Sequence, residues 1–436
     1  MISVLHLCRR FFPQRGGSET YTGAMIPALM AAGIHNRVLA AGAPEADYFW
    51  QGVAVTRADD KTLQRNSGRS RFLDRYLELL DTHRPDIVHW HFLPDEAELL
   101  LEASALHGIR NVHTLHHPVT ICPRHDLMRF GRELCDRTPN ARECGPCMAN
   151  FRGLGAALCI PVTAFAQIVP LSIKSNLPRS RLKTALLLAN DTGNWIASQR
   201  RSLHSFDAHI VLSRASVEVL TRYGVDSRRI QVSRLGTHHL SPRKRAWTSW
   251  GAAQVNARPM RVIFVGRLEF VKGVALLADA ASQFSAAELQ LDIYGPPGDA
   301  HATVESFAAK PGSPIRTLGP LADEDVLERM SESDFVAIPS QFFETGPFTA
   351  VEALQAGTPI LASNAPSLNE FVEDGQNGWL VERSTVKAWR DALRRAIDRP
   401  DLAAQMRQSL AYPRSMQDVA NEMLTVYARI TNASAG

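Results

Sequence analysis

The sequence lacks a concentrated charge of either sign. It has 48 Lys and Arg against 44 Asp and Glu, so its formal net charge is only +4. Duplex nucleic acid is bound through a dense basic stripe, and this balance therefore argues against nucleic acid as a partner. Blocks of biased composition are also absent, with 45% hydrophobic and 21% charged residues overall. At 436 residues the chain exceeds one typical core, which predicts two domains of roughly 200 residues.

The common nucleotide-binding loops are missing as well. The nearest match to G-x-G-x-x-G, at Gly153 and Gly155, lacks the third glycine and a preceding strand, and no G-K-S/T occurs. Nicotinamide chemistry is therefore disfavoured, and a P-loop is absent. Asp323-Glu324-Asp325 has the form of a metal-binding D-x-D, but acidic residues in a first helical turn are explained by the helix dipole.

No cationic leader precedes the first strand pattern, since MISVLHLC passes directly into it. We therefore expect a cytoplasmic protein. One long apolar run occupies residues 154–173, about the length of a membrane span, and contains Pro161 and Pro170. The prolines favour buried helices broken at those positions. The alternative is a surface that enters a membrane interface at the inner face.

An alternation of apolar strands and helical stretches fills the first half of the chain. ISVLHLC is followed by a glycine loop and by a helical pattern from about Ser18 to Ala32. Further strand runs read NRVLAA, DIVHWHF, NVHTLHH, HIVLS and RIQVS. This pattern is typical of a parallel sheet covered on both faces, and predicts a Rossmann-like domain over residues 1–236.

A second α/β series follows a charged, glycine-containing stretch at residues 237–258, which is predicted to be a linker. Its strands read RVIFVG, LQLDIYG, IRTLG, DFVAIPS and TPILAS. We expect a second Rossmann-like domain over 259–412, and a final helix in 413–436 that packs back on the first domain. Two such domains facing each other leave a central cleft at the carboxyl ends of their sheets.

Residues suited to a diphosphate lie in the second domain. FVGRLEFVKG places Arg267 and Lys272 on a strand-to-helix loop, where a guanidinium fork and a point charge can bind phosphate oxygens. In ETGPFTAVEALQAG, Pro347 suits a first helical turn and directs a helix N-terminus toward the same cleft. Glu344 precedes this helix and Glu352 lies inside it, so their roles should differ.

Taken in order, these segments resemble the nucleotide-sugar glycosyltransferases of family 4, which have the GT-B fold. The resemblance runs through PQRGGSE, GRLEFVKG, LDIYGPPGD, IPSQFFETGPFTAVEALQAGTPILAS and NEFVEDGQNGWLV. It implies a retaining, hexosyltransferase-like enzyme that needs no metal for catalysis. Such an enzyme transfers a sugar from a nucleoside-diphosphate donor to a glycan or lipid-linked acceptor, in the synthesis of a surface polysaccharide.

The resemblance also implies roles for residues of the second domain. Arg267 and Lys272 match the pair that neutralises the leaving diphosphate. Glu344 matches the glutamate that holds hydroxyls of the donor sugar, and Glu352 the one that binds the ribose. The family commonly reads E-x-F-G at the first glutamate, whereas here Pro347 stands in this segment and offers no N–H.

The remaining residues implied by the resemblance lie in both domains. Gly16 and Gly17 match a glycine loop that approaches the diphosphate, and His116 matches a histidine near the reacting sugar. Gly346 and Phe348, between the two glutamates, complete the predicted donor site.

Histidines gather at the ends of two predicted strands, at positions 89, 91, 113, 116 and 117. No carboxylate or third element completes a metal site at a familiar spacing. Polar lining of the cleft is therefore the preferred interpretation for all of them except His116.

A cysteine-rich insertion at about residues 118–150 contains four of the six cysteines, namely Cys122, Cys135, Cys144 and Cys147. Disulfides are disfavoured in the cytosol, and a C-x-x-C with two further cysteines suits a structural zinc. The alternative is four reduced thiols packed in a loop. A subset of family 4 resembles this chain in having a segment of this kind. Cys8 and Cys159 are expected to be isolated buried thiols.

The expected lipid-linked acceptor and peripheral membrane contact rest on family habit, on the apolar run and on basic residues near the start, Arg9, Arg10 and Arg15. Two other functions remain open. A nucleotide-sugar epimerase of the same fold would convert its donor without an acceptor. A non-catalytic nucleotide-sugar-binding partner would bind the donor without hydrolysing it.

Overall fold

The computed structural model describes residues 2–14, 16–61, 69–168, 181–237, 258–410, 412 and 414–432. The chain forms two compact units. The first contains Met1–Arg234 together with Met416–Gly436, and the second contains Leu235–Ser415. The linker predicted at 237–258 lies outside the described residues except at its two ends.

The first unit is built on a sheet whose described strands run in the order β10-β9-β6-β5-β1-β2-β4-β3. All neighbours pair in parallel except β3, which is antiparallel to β4. The bounds of these strands are β1 Ser3–Cys8, β2 His35–Ala41, β3 Ala46–Trp50, β4 Val53–Ala58, β5 Ile87–Trp90, β6 Arg110–Leu115, β9 Ala208–Val211 and β10 Ile230–Val232.

The parallel strands confirm the sequence prediction, but β3 and β4 were not predicted. They form a hairpin closed by Gln51 and Gly52, whose φ angles are +46° and +83°. Two positive φ angles are typical of the tight turns that join antiparallel strands. Side chains of β3 alternate between partly buried and exposed, so this edge strand lacks the continuous apolar run of the inner strands.

Helices cover both faces of the first sheet. On one face Gly17–Ala31 and Met416–Asn432 pack against each other. The opposite face carries Arg71–His83 and Ala97–Leu106, whose apolar side chains share a core with Leu5, Leu7 and Val88. The remaining α-helices in the described part of this unit are Ala141–Phe151, Ala156–Ile168, Arg181–His204 and Arg214–Arg222.

The apolar run at 154–173 differs from its prediction in burial and at one proline. The expectation of buried helices is wrong for the described part, where Leu158 and Ile160 are 55% and 62% exposed. Pro161 lies within the helix Ala156–Ile168 and does not end it, while Pro170 lies outside the described residues. The helix packs against Ala141–Phe151 and Arg181–His204. Among the described residues, no helix is both long enough and apolar enough to cross a membrane.

The second unit has an all-parallel sheet in the order β13-β12-β11-β14-β15-β16. Its strands are β11 Met260–Val265, β12 Leu289–Tyr294, β13 Ile315–Thr317, β14 Phe335–Ile338, β15 Ile360–Ser363 and β16 Gly378–Val381, of which β16 was not predicted. The α-helices that the structure describes in this unit are Val274–Ala281, His301–Ala308, Asp323–Ser331, Phe348–Gln355, Val386–Asp398 and Pro400–Ser409.

Candidate active site

The loop that follows β11 is held in shape by close backbone contacts. Its short 3-10 helix Phe270–Lys272 ends at Gly273, which has φ +73°. A Cβ at Gly273 would lie 1.8 Å from the carbonyl oxygen of Pro339, just after β14. Only glycine allows the two segments to approach this closely, and the approach brings Lys272 beside the segment that contains Glu344.

A second loop, after β12, braces the first. A Cβ at Gly295 would lie 1.7 Å from the carbonyl oxygen of Gly266, and one at Gly298 would lie 2.6 Å from that of Leu268. Asp299 accepts a hydrogen bond from the Phe270 N–H at 2.8 Å. The glycines of LDIYGPPGD thus allow the loop to fit against GRLEFVKG.

Lys272 and Glu344 form an ion pair. The Lys272 Nζ lies 2.8 Å from Glu344 Oε1, and the side chains are only 24% and 12% exposed. The Ser340 hydroxyl donates to the same carboxylate oxygen at 2.6 Å, and the ammonium lies 4.6 Å from the centre of the Phe342 ring. Ser340 and Phe342 were missed by the sequence prediction, although both lie in the quoted segment IPSQFFE.

Arg267 is placed differently from Lys272. Its side chain is 58% exposed and pairs with Glu269 Oε1 at 2.8 Å. Both cations therefore follow β11 as predicted, but each binds a different carboxylate within the protein. A donor diphosphate would have to compete with Glu344 for one and with Glu269 for the other.

The helix Phe348–Gln355 begins directly after Pro347, which is its N-cap rather than a residue of its first turn. Pro347 accepts the Ala350 N–H at 3.1 Å through its carbonyl oxygen. Glu344 and Gly346 lie on the preceding loop, and the partly buried Glu352 lies inside the helix. The first N–H groups of a helix have no partner within it, so this end suits an anion or hydroxyl oxygens.

In the first unit, Gly16 is the N-cap of the helix Gly17–Ala31. A Cβ at Gly16 would lie 2.6 Å from Oε2 of Glu19, which is buried in the first turn. Burial raises the pKa of Glu19, although Arg10 and Arg9 oppose this shift. The glycine loop is therefore shaped around a buried carboxyl that the sequence prediction did not single out. Arg15 lies outside the described residues.

His116 follows β6 and is the last member of a hydrogen-bonded series that we call the histidine seam, formed by Asn36, His6, His91 and His116. His6 Nε2 lies 2.9 Å from Asn36 Oδ1, His6 Nδ1 lies 3.1 Å from His91 Nε2, and His91 Nδ1 lies 2.9 Å from His116 Nε2. Burial lowers the pKa of His6 to about 4 and that of His116 to about 3. These rings are neutral at physiological pH.

The sequence indicated no third element that completes a metal site with these histidines, whereas the structure adds His6 from a third strand. His6 on β1 pairs across the sheet with His89 on β5, and one nitrogen from each of His6, His89 and His91 lies within 4.8 Å of the others. His89 binds the Tyr427 hydroxyl at 2.6 Å and the Thr114 hydroxyl at 2.7 Å. Strand register brings His6 to this cluster, and positions so distant along the chain gave no local signal.

The other predicted histidines serve elsewhere. His113 Nδ1 lies 3.2 Å from His209 Nδ1, and the alternation of strand residues places His113 on the opposite face from the seam. His117 is the N-cap of the 3-10 helix Pro118–Thr120 and accepts the Val119 N–H at 3.2 Å. Neither residue belongs to the seam.

The cysteine-rich insertion contains the small hairpin of β7 Met128–Arg129 and β8 Glu133–Leu134. The Cys147 Sγ accepts the Phe130 N–H at 3.2 Å from this hairpin. Burial raises the pKa of Cys144 to about 12, and Cys122, Cys135 and Cys147 add to the shift as neighbours. These three cysteines therefore lie near enough to Cys144 to act on its charge, but among the described residues no three cysteine sulfurs lie within 4.8 Å of one another.

Two family descriptions match the sequence. Residues 252–410 match "Glycosyl transferases group 1", and residues 15–141 match "Glycosyltransferase Family 4". Similar curated proteins include the D-inositol 3-phosphate glycosyltransferase of Gordonia bronchialis, 29% identical over 58% of this chain, and that of Corynebacterium diphtheriae, 32% identical over 33% of it. The chain matches 60% of the length of the first and 35% of the second.

Solved structures match over the full length. A structure of Anabaena Alr3699/HepE in complex with UDP-glucose has a TM-score of 0.63 at 15% identity, covering 100% of both chains. Sucrose-phosphate synthase from Thermosynechococcus elongatus has a TM-score of 0.65 at 16% identity, covering 99% of this chain and 100% of that one. At this identity the likeness concerns the fold.

Proposed function

We propose that this chain, which belongs to glycosyltransferase family 4 and has the GT-B fold, is a retaining, metal-independent enzyme that transfers a sugar from a nucleoside-diphosphate donor. The observation that carries the proposal is the partly buried Lys272–Glu344 pair at 2.8 Å, beside the N-terminus of the helix Phe348–Gln355. It joins a group suited to phosphate with a group suited to sugar hydroxyls. HepE, of the same fold, is described in complex with UDP-glucose, which supports a donor of this class.

The pair defines what donor binding must do. In the protein alone, Glu344 neutralises Lys272, and the two side chains hold each other in place. A diphosphate that takes over the ammonium releases the Glu344 carboxylate to accept hydrogen bonds from the donor sugar. Ser340 continues to orient the carboxylate, since its hydroxyl donates at 2.6 Å.

Departure of the nucleoside diphosphate builds negative charge on the leaving oxygens. Lys272 and Arg267 stabilise that charge electrostatically, and the helix N-terminus adds N–H groups. Removal of one such group typically costs about 2.7–4 kcal/mol in the barrier. The residues thus provide the charge stabilisation that the reaction needs without a metal ion.

Replacing Lys272 tests the proposal. A panel of nucleoside-diphosphate sugars, scored by mass spectrometry for slow hydrolysis, first identifies the donor. With that donor saturating, Lys272→Ala should lower turnover about 10²–10³-fold, because it removes charge stabilisation from the transition state. Lys387→Ala is the matched control, since it breaks an exposed lysine–aspartate pair of similar length, 2.7 Å.

Three results would contradict the proposal. Turnover of Lys272→Ala close to that of the wild type would remove Lys272 from the reaction. An epimerised nucleotide sugar formed without acceptor would indicate an epimerase instead. Tight donor binding without any hydrolysis would indicate a non-catalytic binding partner.

The acceptor is proposed to be a glycan or a lipid-linked glycan of a surface polysaccharide. Three apolar side chains are more than half exposed on neighbouring helices of the first unit, namely Phe151, Leu158 and Ile160. Exposed apolar side chains can enter a membrane interface and basic ones can bind anionic lipid, and the loop after β1 carries Arg9 and Arg10. These features support a peripheral contact with an anionic membrane.

The cysteine group is proposed to hold a structural zinc. Four thiols from one insertion match the donor set of a structural zinc site, and the Phe130 N–H already donates to the Cys147 sulfur, as occurs around bound thiolates. The metal would tie the hairpin of β7 and β8 to the helix Ala141–Phe151. It would have no part in catalysis.

Metal analysis of protein purified without added zinc checks this assignment. We expect about one equivalent of zinc in the wild type and loss of the metal in Cys144→Ser. Cys159→Ser is the control, since Cys159 lies outside the insertion and binds the carbonyl oxygen of Leu154. Far less than one equivalent in the wild type would contradict the proposal.

A further inference from the structure

The histidine seam crosses four neighbouring strands. The strands β2, β1, β5 and β6 lie side by side in this order. Asn36 belongs to β2 and His6 to β1, while His91 directly follows β5 and His116 directly follows β6. The hydrogen bonds therefore run sideways across the sheet and end at the carboxyl edge, where ligands of such folds bind.

The series has a direction that is set at Asn36. The Asn36 Nδ2 donates to the carbonyl oxygen of Ile34 at 3.0 Å, which turns Oδ1 toward His6 Nε2 at 2.9 Å. A carbonyl oxygen only accepts hydrogen bonds. His6 must therefore carry its proton on Nε2.

The position of the proton on His6 determines the position of the proton on each following ring of the histidine seam, because these rings are neutral. A neutral imidazole has one N–H and one lone pair, so His6 Nδ1 accepts from the Nε2–H of His91 at 3.1 Å. His91 Nδ1 then accepts from the Nε2–H of His116 at 2.9 Å. Burial lowers the pKa of His91 well below its usual value, as it does for the other two rings.

We infer that Asn36, His6 and His91 are positioning residues that fix the tautomer of His116, with the proton on Nε2 and the lone pair on Nδ1. The inference rests on the proposed function, since the family resemblance matches His116 to a histidine near the reacting sugar.

A metal ion held by His6, His89 and His91 is the competing interpretation. Each ring nitrogen of these three residues already lies 2.6–3.1 Å from a hydrogen-bonding atom of the protein. A metal would have to displace several of these bonds in a fully enclosed place. The hydrogen-bonded arrangement satisfies every ring nitrogen without an ion, and is therefore favoured.

Nitrogen NMR of the histidine side chains tests the inference without any activity assay. In the wild type, His6, His91 and His116 should each show a protonated Nε2 and an unprotonated Nδ1 at neutral pH. Asn36→Leu removes the acceptor, and the His6 and His116 signals should shift toward a mixture of tautomers. Asn36→Asp retains an acceptor and should keep the wild-type pattern for His6.

His209 provides an internal control for folding. His209 Nε2 donates to the carbonyl oxygen of Leu203 at 2.9 Å, on the other face of the sheet, so its signals should not change in Asn36→Leu. Slow donor hydrolysis is the second measurement and should be lower in Asn36→Leu than in Asn36→Asp.

Several results would overturn the inference. They are a protonated Nδ1 on His116 in the wild type, unchanged seam tautomers in Asn36→Leu, or a joint shift of His6, His89 and His91 on addition of zinc alone. Absence of donor hydrolysis in the wild type would contradict the proposed function. The tautomers measured by NMR would still test the positioning role independently.

Discussion

Single residues set the geometry around Lys272. At Gly273 the backbone has φ +73°, and a Cβ would meet the Pro339 carbonyl oxygen at 1.8 Å. Gly312 has nearly the same φ, +72°, but a Cβ there would meet nothing within 4 Å. Alanine substitutions at these two glycines therefore distinguish two free-energy costs. Gly312 reports the cost of the left-handed backbone alone, and Gly273 adds the cost of the close contact.

This comparison gives a prediction at the residue scale. Gly312→Ala should cost about 1–2 kcal/mol of stability, which is the penalty for a left-handed non-glycine residue. Gly273→Ala should cost more, because the loop and the Pro339 segment must also separate, and it should lower donor hydrolysis by displacing Lys272. Urea unfolding and the hydrolysis assay measure the two effects. Equal stability losses without any loss of activity in Gly273→Ala would contradict this account of the loop.

The sequence indicated those candidate site residues that lie in a recognisable local segment. It could not indicate residues that meet only through the fold. Arg267, Lys272, Glu344 and Glu352 could be named because they lie in one sequence segment each, next to a strand end or a helix start. His6 and His91 are 85 residues apart and meet only through strand pairing. No local sequence pattern indicates such a contact, so the histidine seam could be identified only from the structure.

The sequence predicted the strands correctly where both faces of the strand are buried. An inner parallel strand such as β14, FVAI, is a continuous apolar run because both of its faces are covered. In the two large sheets, the strands that escaped prediction are β3, β4 and β16, which lie at or next to the edge of a sheet. There, partial exposure and short length weaken the signal. The two-residue strands β7 and β8 of the small hairpin also escaped it.

The exposed face of the helix Ala156–Ile168 gives a prediction about membrane binding. Leu158 and Ile160 are 55% and 62% exposed, so the double variant Leu158→Asp/Ile160→Asp should reduce binding to anionic lipid vesicles without lowering stability. Leu106→Asp is the control, since Leu106 is exposed at the end of a different helix of the same unit. Vesicle flotation checks the outcome. Equal flotation of wild type and double variant would exclude this helix from a membrane contact.

At the scale of the whole molecule, the two units differ in their buried histidines. In the first unit, burial lowers the pKa of six of them, which are His6, His89, His91, His113, His116 and His209. Among the residues that the structure describes in the second unit, His301 is the one histidine. The two units should therefore respond differently to acid.

The first unit is predicted to lose stability as pH falls from about 6.5 toward 4. In this window the unfolded chain takes up protons that the folded rings do not, so acid favours the unfolded chain. A ring such as His6, whose pKa is lowered to about 4, contributes about 2 kcal/mol to the loss at about pH 5. Calorimetry at about pH 7.5 and about pH 5 should show a larger shift for the transition of the first unit. Parallel shifts of two resolved transitions would contradict this expectation.

The histidine seam also constrains how this protein can change over evolutionary time. Because the proton on each ring depends on the preceding partner, replacing one member leaves a mismatched donor or acceptor inside the sheet, which costs about 1–3 kcal/mol. A lineage can avoid that cost only by altering neighbouring members together. Descendants of a common ancestor are therefore expected to keep Asn36, His6 and His91 as a set or to exchange them as a set, even though the three are far apart in the gene.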